Sequence, residues 1–317
     1  MTPNLRGALL ALAAFGTYAT HDILVKVLGG SYSSFQVLFF NCLMTFPLLT
    51  LLLMADRTPG TLIPHHVFWT AIRTVSAMLT AVGGFFAFSQ LPLAQCYAIF
   101  FAMPLLITLM AVPLLGEKFG LRRSLAIIAG LVGVIIVLRP GTAPLGIGHL
   151  AALSAACTGA LTSVLVRKIG NDERSIVLML YPSVLIFFAM GLLMPAYYLP
   201  MPVGDLGLSA VMSILGIAGG LLIIAAYRTA PAIIVAPMQY SQLLWAVLYG
   251  ELFFNERIDI YTGIGSAIII ASGLYIVLRE GTPRVSETRP VLQAPARPEA
   301  AAFTRKSQVL GRSDPRQ

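Results

Sequence analysis

Charge is what this chain has least of: 11% of its 317 residues are Asp, Glu, Lys or Arg, against 57% hydrophobic. Soluble domains carry about 25% charged residues, so water is excluded as the solvent for most of the chain. Cysteine is scarce too. Cys42, Cys96 and Cys157 stand alone in separate apolar runs, which excludes a disulfide framework or a zinc site read from spacing. There is no Walker phosphate loop, no HExxH and no GxSxG. Direct drive by ATP and the recognised hydrolase signatures are therefore excluded, and no motif asks for a cofactor.

What the chain has is apolar length. Runs of about 20 apolar residues recur, the span a helix needs to cross the hydrocarbon core. Charge and turn residues cut them into ten predicted helices near 7–28, 35–54, 70–90, 92–115, 121–138, 147–168, 175–198, 207–228, 231–254 and 258–278. The first run is too long and too poorly ended for a cleaved signal peptide and reads as a retained helix. From 281 to 317 the composition turns to Arg, Pro, Ser, Glu and Ala without periodicity, which predicts a disordered cytoplasmic tail. With the N-terminus inside, ten basic residues (Arg6, Arg57, Arg73, Lys118, Arg122, Arg123, Arg167, Lys168, Arg174, Arg228) fall on the inner side and three (Lys26, Arg139, Arg257) on the outer. That bias places both termini in the cytoplasm. The net charge of +8 then faces anionic lipid and needs no nucleic acid.

The chain also repeats itself. GALLALAAFGTYATHDILVKVLG (7–29) lies over GHLAALSAACTGALTSVLVRKIG (148–170) at an offset of 141, with both end glycines coinciding and Lys26 falling on Arg167. Pro92 falls on Pro231 and Glu117 on Glu256 at an offset of 139, and the LRPG of 138–141 meets the LREG of 278–281 at 140. A near-constant offset across five helices is a duplication. Five is odd, so the second copy enters the membrane inverted, the arrangement that supports alternating access around a midplane site. The fold expected is an all-α membrane protein of ten transmembrane helices, with one repeat over 7–141 and the other over 147–280.

Pro92 through the LLGE of 114–117, the paired glycines of 130–133, and Pro237 through Glu256 with GSAIIIASGLYIVLRE at 265–280 carry a resemblance to a known family. Over residues 7–280 the chain resembles the EamA type of the drug/metabolite transporter superfamily, whose members are built from two five-helix repeats. Asn255 stands where that family usually has Gly, which puts the shape of that turn in question. The THDILVK of 20–26 is similar to the ND…K segment of a subset that includes S-adenosylmethionine and riboflavin importers, with His21 in place of the Asn.

Polar residues inside the spans are the candidate site. Asp22 and Lys26 lie four apart on one helix face, with His21 adjacent. Asp22 sits about 20 Å from the inner helix end, and an ionisable group at that depth is a functional candidate. It would bind a cationic group or a proton; the alternative is an internal ion pair with Lys26 reaching the outer interface. Gln239, Tyr240, Gln242 and Trp245 cluster near the middle of the ninth predicted helix, where a ring to stack on and amides to donate and accept suit a planar or amino-acid-like solute. The alternative there is interhelical hydrogen bonding at about 0.6 kcal/mol per contact. Asn41, Tyr97 and Arg73 are further candidates, Arg73 for a substrate carboxylate or as a lipid-facing anchor. Glu117 and Glu256 read as turn-holding residues or caps of the helices that follow them. The expectation is an inner-membrane secondary transporter of a small polar metabolite, with protons a candidate coupling ion. The resemblance tilts it toward uptake of a cofactor-like solute, and export of an amino acid or amine is the rival. A membrane enzyme or lipid-handling protein would need acid–base residues on a cytosolic or headgroup-level face, and the one deep ionisable cluster, His21, Asp22 and Lys26, has no partner motif.

Overall fold

The computed structural model describes residues 2–55, 61–116, 121–139, 145–169, 172–173, 175–230 and 232–280. The tail expected over 281–317 lies outside them, as do Arg57, Glu117, Lys118, Arg174 and Pro231. Every regular element among the described residues is helical: α1 (Pro3–Gly29), α2 (Ser34–Ala55), α3 (Val67–Gln90), α4 (Leu93–Phe100), α5 (Met103–Leu115), α6 (Leu121–Leu138), α7 (Ile147–Ile169), α8 (Ser175–Tyr197), α9 (Val203–Thr229), α10 (Ala232–Val235), α11 (Ser241–Phe254) and α12 (Ile260–Glu280).

Local chemistry marks the ends. Thr2 caps α1 by accepting from the Leu5 amide at 3.4 Å, with Pro3 in the first turn, where no N–H is missed. Gly116 ends α5 in the left-handed region (φ 70°) and Asn255 ends α11 the same way (φ 53°). These positions correspond across the repeat. The turn is therefore kept at Asn255, because Asn tolerates left-handed backbone better than other side-chain-bearing residues.

The fourth and ninth predicted helices are not continuous. The fourth breaks at Phe101–Ala102 into α4 and α5. The ninth starts as α10, tightens into a 3-10 turn over Ala236–Tyr240 and resumes as α11. Prolines explain both breaks: Pro104 and Pro237 have no N–H, so the carbonyls four residues earlier lose their helical partner. Counting each broken pair once gives ten crossings. Their outward surface is apolar, with Leu192 83% and Val203 86% exposed, the pattern of a surface that meets lipid.

The packing obeys a two-fold exchange of the repeats. α1 runs along α9 as α7 runs along α3, while α2 pairs with α8 and α6 with α12, each across the axis. Gly133 and Gly265 let α6 and α12 approach closely: a Cβ on Gly133 would lie 2.8 Å from the Gly265 carbonyl oxygen. At the centre the two breaks touch, the Phe101 and Tyr240 rings meeting edge-on at 5.2 Å.

Candidate functional site

A cavity of about 270 Å³ opens where the two broken helices meet α1, α2, α3, α8 and α9. Among the described residues α7 adds only Ala155 to its wall, and α6 and α12 add nothing. The cavity is lined mostly by rings and aliphatic groups, with Phe85, Phe88, Phe100 and Phe101 on one side. Polar groups enter at a few points, as in a solute site.

The most polar point is Asp22, 2% exposed, on α1. Its Oδ1 lies 2.8 Å from His21 Nδ1, and its Oδ2 accepts from the Tyr97 hydroxyl on α4. A carboxylate only accepts, so the first contact requires the Nδ1–H tautomer and leaves His21 Nε2 for another partner. The imidazole stands edge-on to Phe85 at 6.1 Å and faces α9, where a Cβ on Gly216 would lie 3.9 Å from Nε2. Asp22 is thus held from two helices, and the groups around it present a ring, an imidazole nitrogen and a phenol to the cavity.

The other polar groups on its wall are neutral. Asn41 on α2 accepts at Oδ1 from Ser213 of α9 at 2.9 Å. Gln239 and Gln242 line the cavity from the second break, each 8% exposed. The structure therefore brings His21, Asp22, Asn41, Tyr97, Gln239 and Gln242 to one cavity. The other four candidates lie elsewhere. Tyr240 points toward α12, where a Cβ on Gly273 would overlap its hydroxyl. Trp245 packs on Gly16 of α1 and stacks on Tyr249 at 5.6 Å. Gln239 and Gln242, three apart, keep one face on the cavity, and Tyr240, one residue on from Gln239, points off that face.

Lys26 does not pair with Asp22. Its Nζ lies 2.5 Å from Glu256 Oε1 and donates to the Leu91 carbonyl at 2.6 Å. Glu256 Oε2 accepts from the Leu93 amide at 3.0 Å, so this carboxylate caps α4 of the other repeat and not the helix that follows it. α12 is instead capped by Asp259, whose carboxylate accepts from the Tyr261 and Thr262 amides at 2.9 and 3.2 Å. Partial burial pushes the Asp259 carboxyl up; the Thr262 and Tyr261 hydrogen bonds and nearby Arg139 outweigh it and hold it below its ordinary value of 3.8. Arg73 is 1% exposed and lies behind the α8 wall, donating to the Leu178 carbonyl at 2.5 Å. The sequence reading missed the phenylalanine wall and Ser213, because aromatic and hydroxyl residues in apolar helices face lipid, core and cavity alike.

Ten crossings paired about a two-fold axis, with a cavity where two broken helices meet, have the architecture of a membrane transporter. The model of the EamA-like transporter family matches residues 5–139 and again residues 146–278, and the chain belongs to that family. It is similar to an S-adenosylmethionine uptake transporter of Rickettsia bellii (strain RML369-C), 27% identical over 83% of this chain and 90% of the relative. It is also similar to a riboflavin transporter of Rhizobium johnstonii, 28% identical over 68% of this chain and 72% of the relative. A pseudopaline exporter of Pseudomonas aeruginosa is 23% identical over 84% of this chain and 94% of that protein. A solved crystal structure shares the fold, with a TM-score of 0.58 at 18% identity over 88% of this chain and 99% of that one.

Proposed function

We propose that the chain takes up a cofactor-like solute of the S-adenosylmethionine or riboflavin type across the inner membrane, by alternating access of its two inverted halves. The single observation that carries this reading is the buried Asp22–His21–Tyr97 set opening onto a phenylalanine-lined cavity. An anionic centre suits a cationic or donor-rich group, and the rings suit a flat heterocycle. Gln239, Gln242 and Asn41 supply amides on the same wall. The likeness to an S-adenosylmethionine uptake transporter and a riboflavin transporter supports the same solute class. The basic-residue bias supports cytoplasmic termini. Protons are the proposed coupling ion, with Asp22 the carrier, and Asp22→Asn is then expected to remove the pH dependence of net uptake while exchange persists.

A thermal-shift screen of purified protein tests the cargo against S-adenosylmethionine, riboflavin, amino acids and amines. A ligand at a hundredfold its Kd stabilises the folded state by about 2.7 kcal/mol. Stabilisation by S-adenosylmethionine or riboflavin, followed by saturable uptake into proteoliposomes, is the expected result. Stabilisation by amino acids or amines alone would favour export, the reading that the similarity to the pseudopaline exporter supports.

A further inference from the structure

Pro182 lies inside α8 and has no N–H, so the Leu178 carbonyl four residues earlier has lost its helical partner. A buried bare carbonyl is costly unless something donates to it, and Leu178 is buried. Arg73 of α3 does: its Nη1 reaches the Leu178 oxygen at 2.5 Å. Two more side chains bond carbonyls of the same stretch. Ser183 Oγ donates to the Met179 carbonyl at 3.0 Å, and Cys42 Sγ of α2 donates to the Ser183 carbonyl at 3.0 Å. Leu178, Met179, Pro182 and Ser183 all line the cavity, whereas Pro47, Pro113 and Pro195, the prolines inside α2, α5 and further along α8, do not.

Arg73 itself is an expense to the fold. It is 1% exposed, its Nε has no hydrogen-bond partner, and no carboxylate pairs with it among the described residues. A buried cation without a counter-ion is disfavoured, so an apolar side chain would serve better if packing were all that mattered. What the guanidinium offers is a strong charge-assisted donor from a neighbouring helix. We propose that Arg73 is a positioning residue: it supplies the hydrogen bond that Pro182 removes, and so holds the proline-interrupted α8 wall of the cavity in place. The donor from α3 makes the gap in the α8 hydrogen-bond ladder tolerable beside the cavity. This role does not depend on which solute is carried.

The two residues should then be coupled. Pro182→Ala restores an N–H for Leu178 and makes the arginine dispensable, while Arg73→Met removes the donor at similar length. Cys42 reports on the Pro182 stretch of the wall, because it lines the cavity and touches Ser183. The experiment compares the parent, Arg73→Met, Pro182→Ala and the double variant, all with Cys96→Ser and Cys157→Ser, by the rate of N-ethylmaleimide labelling at Cys42 and by thermal stability. Arg73→Met is expected to label about tenfold faster or more and to melt lower, as loss of a charged hydrogen bond to a buried carbonyl implies. The double variant is expected to match Pro182→Ala in both. If Arg73→Met does not fold, recovery of folded double variant supports the proposal equally. Labelling and melting of Arg73→Met that match the parent would overturn it, and so would a double variant as defective as Arg73→Met.

Discussion

His21 and Asp22 of α1 correspond, at the offset of 141 residues, to Thr162 and Ser163 of α7. The first pair joins Tyr97 at the cavity wall; the second stays within packed helix, Thr162 at 0% and Ser163 at 3% exposure. Ser163 donates to the Gly159 carbonyl one turn back at 2.9 Å, so its hydroxyl is satisfied inside its own helix. Two equivalent depths of two equivalent helices therefore carry opposite chemistry. Duplication supplies the scaffold and the broken helices; the charged centre belongs to one half alone.

That contrast breaks most sharply at Asp22. Asp22→Ala leaves His21 and Tyr97 without their common partner and is expected to lower kcat/KM for the transported solute by more than about 100-fold, equivalent to about 3 kcal/mol. Ser163→Ala at the equivalent site is expected to change stability by less than about 0.5 kcal/mol. Equal effects in proteoliposome uptake would end the argument from asymmetry. Tyr97→Phe keeps the ring and removes one donor to the carboxylate; about 1.5–3 kcal/mol of weakened binding is expected, read as a tenfold or larger rise in Kd.

The second repeat is sharpened by its glycines. Gly273→Ala would drive a methyl into the Tyr240 hydroxyl and is expected to destabilise by about 1–3 kcal/mol in a thermal melt. Gly263→Ala, nearly three turns earlier on the same helix, meets open space and is expected to be neutral or stabilising by up to about 1 kcal/mol. The smallest effect concerns the exposed end of α12. Asp259 is held below its ordinary value of 3.8, so its contribution is present above that value and is lost as pH falls through the lowered one. Asp259→Asn should therefore flatten the fall in melting temperature on acidification, in the most acidic part of a pH series.

Much of this was readable before any coordinates. Span length and scarcity of charge point to membrane helices, and matched Gly, Pro and Glu positions point to the duplication, because those signals are local or recur along one chain. The helix breaks were harder, since Pro104 and Pro237 sit in runs whose hydropathy never falters. The site was half legible. Asp22, Gln239 and Gln242 stand out as polar residues in apolar runs, but the partner of Lys26 could not be read from its helix face. Four-residue spacing favoured Asp22; tertiary packing gave it Glu256 instead. Tyr240 and Trp245 were misplaced for a related reason: the partners that take their rings, Gly273 of α12 and Gly16 of α1, lie on distant helices.

Glu256 also has a consequence for biosynthesis. The amide it caps, at Leu93, lies 163 residues earlier in the chain, and the ammonium it neutralises, on Lys26, earlier still. A ribosome inserting this chain from its N-terminus delivers the first half with one helix end uncapped and one cation unanswered. Both must wait for almost the last crossing. The halves resemble each other, yet neither is finished alone: expressed as separate fragments, they should persist only when they are made together.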